Sequence, residues 1–175
     1  MFDPDSLRKT VEPPDYVPIA VDWVAVESRL GFALPSDYKW LVSNYGLGSF
    51  GGFFYLFVPG APREGLNLES QYRRTTWALE YLIERGYSLP RRPRELISFG
   101  RSENGDAAYW VTSRSDDPDR WTVALGEPRG PLWEEFDGGV AEWLETVLSR
   151  RIRMKIFPKD FPRRTVRFAS LRNVS

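Results

Sequence analysis

The chain contains no cysteine and no histidine. Without cysteine it forms no disulfide, has no thiol nucleophile and offers no thiolate ligand to a metal. Without histidine it lacks the usual acid and base near neutral pH and the commonest side-chain metal ligand. Serine–histidine and cysteine–histidine catalysis are therefore excluded, and only carboxylates, lysine and tyrosine are left as catalytic groups. We expect a protein that is not an enzyme and that needs no cofactor or metal.

Long apolar runs are missing as well. No stretch of the sequence approaches the roughly 20 apolar residues that cross a bilayer, and the first ten residues lack the basic and apolar regions of a signal peptide. Of the 175 residues, 42% are hydrophobic and 15% aromatic, which is enough for a substantial core. We expect one cytoplasmic domain over residues 20–149, with an extended lead-in over 1–19 and a separate extension over 150–175.

An excess of charge of one sign is also absent, because 24 basic residues balance 24 acidic ones. The balance conceals an uneven distribution. Residues 150–175 hold nine basic residues and one acidic residue, a net charge of +8, and residues 1–149 carry a net charge of −8. This asymmetry bears on partners and self-association rather than on the fold.

The basic extension supports two interpretations. Phenylalanines lie among its arginines and lysines, as in proteins that bind nucleic acid through phosphate contacts and base stacking. Alternatively, Ile152, Met154 and Ile156 alternate with basic residues, a strand periodicity that favours an arm packed on the acidic body. Both interpretations stay open on the sequence alone.

Periodicity and end signals predict the secondary structure. Apolar residues spaced three and four apart indicate helices at about 22–30, 34–46, 68–85 and 140–149. In the second helix Ser36 or Asp37 is expected to cap the start, and Gly46 to end it. Short apolar runs indicate strands at 53–58, 96–100, 107–112, 121–125 and 132–136, and Asn104-Gly105 predicts a hairpin turn. Helices around a run of antiparallel strands define the α+β class.

The spacing of Leu68, Tyr72, Leu79, Leu82 and Ile83 places these residues on one face of the third predicted helix. The glycines at 46, 48, 51 and 52 favour a flexible turn over a phosphate cradle, because no lysine followed by serine or threonine comes after them.

Two groups of side chains are conspicuous. One is aromatic and could form a ligand platform, but each member falls on a predicted inner face, which favours a core role: Trp23, Tyr38, Tyr45, Trp110 and Trp143. The other is acidic and falls in two predicted turns: Glu103, Asp106, Asp116, Asp117 and Asp119. The acids lack the spacing of a calcium loop, so we interpret them as solvated turn residues and as candidates for partner binding.

Taken together, the motifs resemble the SUKH superfamily, also called the SMI1/KNR4 family, over roughly residues 20–149. The first helix of the family pattern is similar to Trp23, Glu27, Leu30 and Gly31. The second helix is similar to Leu34, Pro35, Asp37, Tyr38, Leu41, Tyr45 and Gly46. The later strands are similar to Ile97, Phe99, Gly100, Gly105, Asp106, Tyr109 and Trp110.

The resemblance implies an antiparallel meander sheet with helices packed on it and a non-enzymatic role. It gives the motif residues a mainly structural part. Many bacterial members resemble immunity proteins that neutralise polymorphic toxins, often nucleases, by direct binding. For this chain the acidic body would then cover a basic toxin. A general regulatory interaction module, or nucleic-acid binding through the extension, are the alternatives.

Overall fold

The computed structural model describes residues 2–16, 18, 20–127 and 130–171. The helices in these residues are α1 (Pro4–Thr10), α2 (Trp23–Leu30), α3 (Ser36–Tyr45), α4 (Leu68–Glu84) and α5 (Val140–Leu148). The strands are β1 (Gly48–Phe50), β2 (Phe54–Leu56), β3 (Leu96–Ser102), β4 (Ala107–Val111), β5 (Thr122–Gly126), β6 (Trp133–Phe136) and β7 (Phe168–Ser170). Short 3-10 turns lie at Glu64–Leu66, Pro93–Glu95 and Pro118–Arg120.

All strands join one antiparallel sheet in the order β6-β5-β4-β3-β2-β1-β7. The first six follow the chain as a meander, and β7 returns to pair with β1. The expected α+β class is confirmed. Asn104 and Gly105 form the predicted hairpin turn between β3 and β4, where Gly105 takes a φ of 88° that suits glycine.

Helices cover both faces of the sheet. On the inner face, α3 and α5 pack a large aromatic core against the strands. Tyr38 meets Trp110 edge-on at 5.0 Å, and Trp143 meets Phe54 at 4.9 Å. On the outer face α4 packs on the strands, chiefly on β3, over a small cluster made of Leu79, Leu96, Tyr109, Val111 and Ala124. None of the described helices is both long and apolar enough to cross a membrane.

A bulge in β3 lets both faces be filled. Ser98 pairs with Tyr109 and Gly100 pairs with Ala108, so Phe99 is the extra residue and points into the inner core. A Cβ on Gly100 would lie 2.6 Å from the carbonyl oxygen of Tyr55. The glycine therefore permits the close approach of β2 to the bulge.

The N-terminal lead-in was expected to be extended, but Pro4–Thr10 form α1. Proline is tolerated in the first turn of a helix, and the side chain of Asp3 accepts a hydrogen bond from the N–H of Asp5 at 3.0 Å. Leu7 is fully buried, so burial of one apolar side chain fixes this short helix.

The glycine-rich segment after α3 is not simply a turn, because β1 lies within it. Three residues suffice because β1 is hydrogen-bonded on both sides, to β2 and to β7. Gly51 and Gly52 do form the turn that follows, with φ of 63° and 66°. On α4 the expected apolar face fails at Ile83, which is 44% exposed.

The strand periodicity of Ile152, Met154 and Ile156 does not produce a strand. It reflects burial instead, because Met154 and Ile156 are buried and the basic residues between them are exposed. Met154, Ile156, Phe157, Phe161 and Val166 are all buried against the inner core. We call residues 150–167 the basic strap. The C-terminal extension does pack on the rest of the domain, as one of the two interpretations held. In its described part the only strand is β7, which follows the strap.

Candidate functional site

The family-motif aromatic residues lie inside the fold. Tyr38, Tyr45, Phe99 and Trp110 have no exposed surface. The hydroxyl of Tyr38 donates to the carbonyl of Phe57 at 2.5 Å. The hydroxyl of Tyr45 donates to the carbonyl of Val11 at 2.8 Å. Burial raises the pKa of both hydroxyls, which therefore stay neutral and serve as fixed donors.

The remaining motif residues at α2 and α3 fix the joint between these helices. Leu34 is buried and donates its N–H to the carboxylate of Glu27 at 2.8 Å, and Lys39 pairs with the same carboxylate. Trp23 is half-buried and meets the ring of Tyr38 edge-on at 6.0 Å. Pro35 is the capping residue of α3 and provides no side-chain hydrogen bond. Gly46 follows α3 with a φ of 70°.

Asp37 joins two helices instead of capping its own in the usual way. Its Oδ1 accepts from the N–H of Tyr38 at 2.7 Å, and its Oδ2 accepts from the N–H of Ala141 at the start of α5 at 2.9 Å. Burial raises the pKa of this carboxyl, the hydrogen bonds offset part of the rise, and the nearby charge of Asp119 adds to it. Asp119 in turn accepts from the N–H of Ser36 at 2.6 Å and so supplies the cap that α3 lacks.

The structure divides the five predicted partner-binding acids between two ends of the sheet. Glu103 and Asp106 lie in the turn before β4, and the other three lie in the loop after it, which separates the groups by roughly 17 Å along the strand. Asp106 is buried, and Ser102 donates to its carboxylate at 2.5 Å. Burial raises the pKa of Asp106. This carboxylate holds the turn, and we leave it out of the proposed binding surface.

The loop after β4 borders an open cleft of about 700 Å³, which we call the acidic cleft. Asp119 lines it, and so do the motif residue Asp37 and two acids that were not singled out in the sequence: Asp137 and Glu142. Asp116 and Asp117 are exposed in the same loop. Trp40 and Trp121 supply apolar wall. Among the described residues, no group of three or more carboxylates is arranged to hold a metal ion.

The other exposed feature lies on α4 and went unnoticed in the sequence. Arg73, Trp77, Tyr81 and Arg85 are spaced four apart and form a row along the solvent side of the helix, which we call the aromatic ridge. Trp77 is 65% exposed and Tyr81 40% exposed. Their rings stack at 5.5 Å and 21°, and the guanidinium of Arg85 lies 4.9 Å from the centre of the Tyr81 ring. The spacing itself is a sequence signal that could have identified the row.

A groove of about 860 Å³ runs beside the ridge, between α4 and the part of the sheet that α4 leaves open. Tyr109 and Trp133 stack at 5.7 Å on the sheet side. Burial raises the pKa of Tyr109 to about 12. Arg101 lies nearby with its guanidinium 5.7 Å from the centre of the Tyr55 ring, and its Nε has no hydrogen-bond partner in the described part of the chain. The ridge and the groove together present aromatic surface and arginine donors on one face.

The architecture and the surfaces together define a class: an α+β protein with helices on both faces of an antiparallel sheet and aromatic and acidic surfaces suited to protein contact. The model of the SMI1 / KNR4 family (SUKH-1) matches residues 13–145. The match covers more than half of the chain, and the chain therefore belongs to this family, as its motifs suggested. Comparisons with curated proteins and with solved structures gave no significant match.

The matched region contains the acids of the acidic cleft and the aromatic ridge but ends before the basic strap. Whatever the strap does is therefore not covered by the family match.

Proposed function

We propose that the chain is a non-enzymatic protein-binding domain of the immunity type, which neutralises a toxin by direct binding. Family membership supports a protein-interaction role. The observation that carries the proposal is the aromatic ridge, because it combines an exposed tryptophan, tyrosine and arginine on a rigid helix. These three residue types dominate the energetic centres of protein interfaces.

The ridge is organised before any partner arrives. Trp77 and Tyr81 already stack on each other, and Arg85 already covers the second ring. A partner that binds there would have little side-chain rotation to freeze, which lowers the entropic cost of association. The neighbouring groove would add the half-buried Trp133, whose ring stacks on the buried ring of Tyr109.

The acidic cleft is the second surface in the proposal. Residues 1–149 carry a net charge of −8, and Asp116, Asp117 and Asp119 project from one loop at the cleft. Negative charge on one side raises the rate of encounter with a basic partner and rejects acidic ones. A nuclease toxin has a basic surface for its substrate, and an acidic cleft is complementary to it.

The direct test is protection in cells. The candidate toxin is the protein encoded next to the gene for this chain, produced together with the wild type, with the Trp77→Ala, Tyr81→Ala double variant, or with Val24→Ala. Val24 is a matched control because it is also apolar and 81% exposed, but lies on α2. We expect protection by the wild type and by Val24→Ala. The double variant should lose affinity by at least about 30-fold, since hot-spot residues contribute about 2 kcal/mol or more.

Three other outcomes would change the proposal. If no neighbouring protein binds at micromolar concentration, the immunity role is wrong. If a partner binds without being toxic, the chain is a regulatory interaction module. If the double variant protects as well as the wild type, the ridge is not the interface.

The contribution of the acidic cleft can be measured in the same assay. Asp116→Lys should slow association with a basic toxin, and the same change at Glu12, an exposed acid outside the loop, should not. Equal effects of the two changes would mean that net charge alone matters.

A further inference from the structure

The basic strap separates its residues by polarity. Its buried side chains are apolar: Met154, Ile156, Phe157, Phe161, Pro162 and Val166. Its basic side chains are all exposed: Arg150, Arg151, Arg153, Lys155, Lys159, Arg163, Arg164 and Arg167. One side of the strap therefore belongs to the core, and the other side exposes its eight basic residues together with Asp160 and Thr165.

The apolar side anchors the strap across the sheet. Near β6, the N–H of Ile156 donates to the carboxylate of Glu134 at 2.8 Å. Farther along, Phe161 packs on Phe53 with ring centres 4.5 Å apart. The strap then reaches the opposite edge, where the carbonyl of Arg167 accepts from the N–H of Gly51 at 2.9 Å before β7 pairs with β1. At about 4.8 Å per strand, the distance from β6 to β1 is roughly 24 Å.

The charges on the solvent-facing side of the strap are largely uncompensated. Asp160 is the one acidic residue of the strap. Arg151 pairs with Glu145, and in the described part of the chain no other strap residue forms an ion pair. Seven strap cations therefore have no ion-pair partner among the described residues.

From this arrangement we infer that the strap binds the phosphate backbone of a nucleic-acid duplex, without reading its sequence. A duplex carries one negative charge per about 1.7 Å of axis, so a strap with several exposed cations can meet several phosphates at once. Six of the eight strap cations are arginines, whose planar guanidinium pairs well with phosphate oxygens. Base stacking has no part in this binding, because Phe157 and Phe161 are buried.

The strap differs from a protein-binding surface in what it exposes. Interfaces between proteins have a desolvated centre with aromatic or aliphatic anchors. The strap offers none, since Ile152 and Pro158 are half-buried and its other apolar residues are buried. The aromatic ridge on α4 has such anchors, so the two surfaces suit different partners. The inference does not depend on the immunity role.

The test uses fluorescence anisotropy with the full-length protein and labelled DNA and RNA duplexes of arbitrary sequence. The strap variant replaces Arg153, Lys155, Lys159 and Arg163 by glutamine. The control replaces four exposed basic residues elsewhere by glutamine and changes the net charge equally: Lys9, Arg63, Arg92 and Arg94. Both sets are exposed, so circular dichroism and thermal unfolding should show intact folds.

We expect the wild type and the control to bind duplex at about 50 mM salt and to lose affinity steeply by about 200 mM. The strap variant should bind at least tenfold more weakly. If all four replaced residues contact phosphate, the slope of log affinity against log salt should fall by about 3 to 4. A difference in affinity between the DNA and RNA duplexes would show which of the two fits the strap.

Three results would overturn the inference. One is the absence of any binding by the wild type at low salt. Another is an equal loss of binding in the strap variant and the control. The third is equally effective competition by polyglutamate of matching charge, which would show a general attraction to acidic chains instead of phosphate binding.

Discussion

The two sides of the sheet are built differently. The inner side is filled by α1, α3, α5 and the apolar half of the strap, and its largest side chains, such as Trp110 and Trp143, are fully buried. The outer side has α4 on its strands, a small buried cluster and an open groove. Stability is thus concentrated on one side, which leaves the other free to expose Trp77 and Tyr81. A sheet with one heavily packed face can tolerate an incomplete cover on its second face.

The same substitution on each side should show this difference most strongly. Leu41 on α3 is fully buried in the inner core, and Leu79 on α4 belongs to the small outer cluster. We expect Leu41→Ala to lower the free energy of unfolding by about 4 kcal/mol, because the packed core cannot close around the cavity. Leu79→Ala should cost about 2 kcal/mol, because water from the groove can reach the gap. Urea unfolding measures both, and equal losses would contradict the comparison.

A smaller effect is expected from the link that Asp37 forms between α3 and α5 on the inner side. Asp37→Ala removes the acceptor for two backbone N–H groups and should cost about 1–2 kcal/mol. Asp37→Asn should recover at most about half of the loss, because its single amide oxygen replaces only one of the two accepting oxygens. Asp116→Ala, at an exposed acid of the neighbouring loop, should change stability by less than about 0.5 kcal/mol. A loss at Asp116 as large as at Asp37 would argue against the helix link.

On the outer side, acid should weaken one ion pair. The guanidinium of Arg91 binds Glu135 with two hydrogen bonds of 2.7 and 2.8 Å and holds the pKa of that carboxyl at about 2, below its ordinary value of 4.5. Because the folded pKa is the lower one, the stability from this pair is present above about pH 4.5 and is lost as the pH falls towards 2. Solvent screens the pair, so we expect about 1 kcal/mol.

The measurement for this pair is the free energy of unfolding as a function of pH. The difference between the wild type and Arg91→Gln should be constant above about pH 5 and should shrink towards zero near pH 2. A difference that stays constant down to pH 2 would mean that Arg91 stabilises the fold by packing alone.

The smallest effect is expected at the ridge. Trp77→Ala and Tyr81→Ala should each change the free energy of unfolding by less than about 0.5 kcal/mol, because both side chains are on the solvent side of α4. Thermal and urea unfolding would check this. A loss above about 1 kcal/mol at either position would assign the ridge to the fold and weaken its role as a binding surface.

Much of the fold could be predicted from the sequence because local signals agreed with the final packing. The helix predicted at about 22–30 forms over Trp23–Leu30, with Asp22 as cap and Gly31 as exit. The hairpin at Gly105 followed from the strongest short turn signal. These elements depend on residues close in the chain, and short-range patterns record them.

The parts that escaped prediction depend on distant residues. β1 is held by two neighbouring strands, one of them more than a hundred residues later in the chain, so its glycines alone suggested a turn. α1 depends on burial of Leu7. In the strap, alternation reflected burial against the core instead of strand pairing. For the candidate site, the loop acids were visible in the sequence, but their separation by β4, the burial of Asp106 and the exposure of Trp77 required the three-dimensional arrangement.

The late return of β7 has a consequence for synthesis on the ribosome. Until residues 168–170 have emerged, the outer edge of β1 has no partner, and unpaired strand edges readily join other chains. A chain that stops early would also leave the rings of Phe53 and Phe54 uncovered by the strap. Incomplete products should therefore be recognised and removed by chaperones and proteases. Pairing of β7 with β1 therefore closes the last open strand edge on this side of the sheet only late in synthesis.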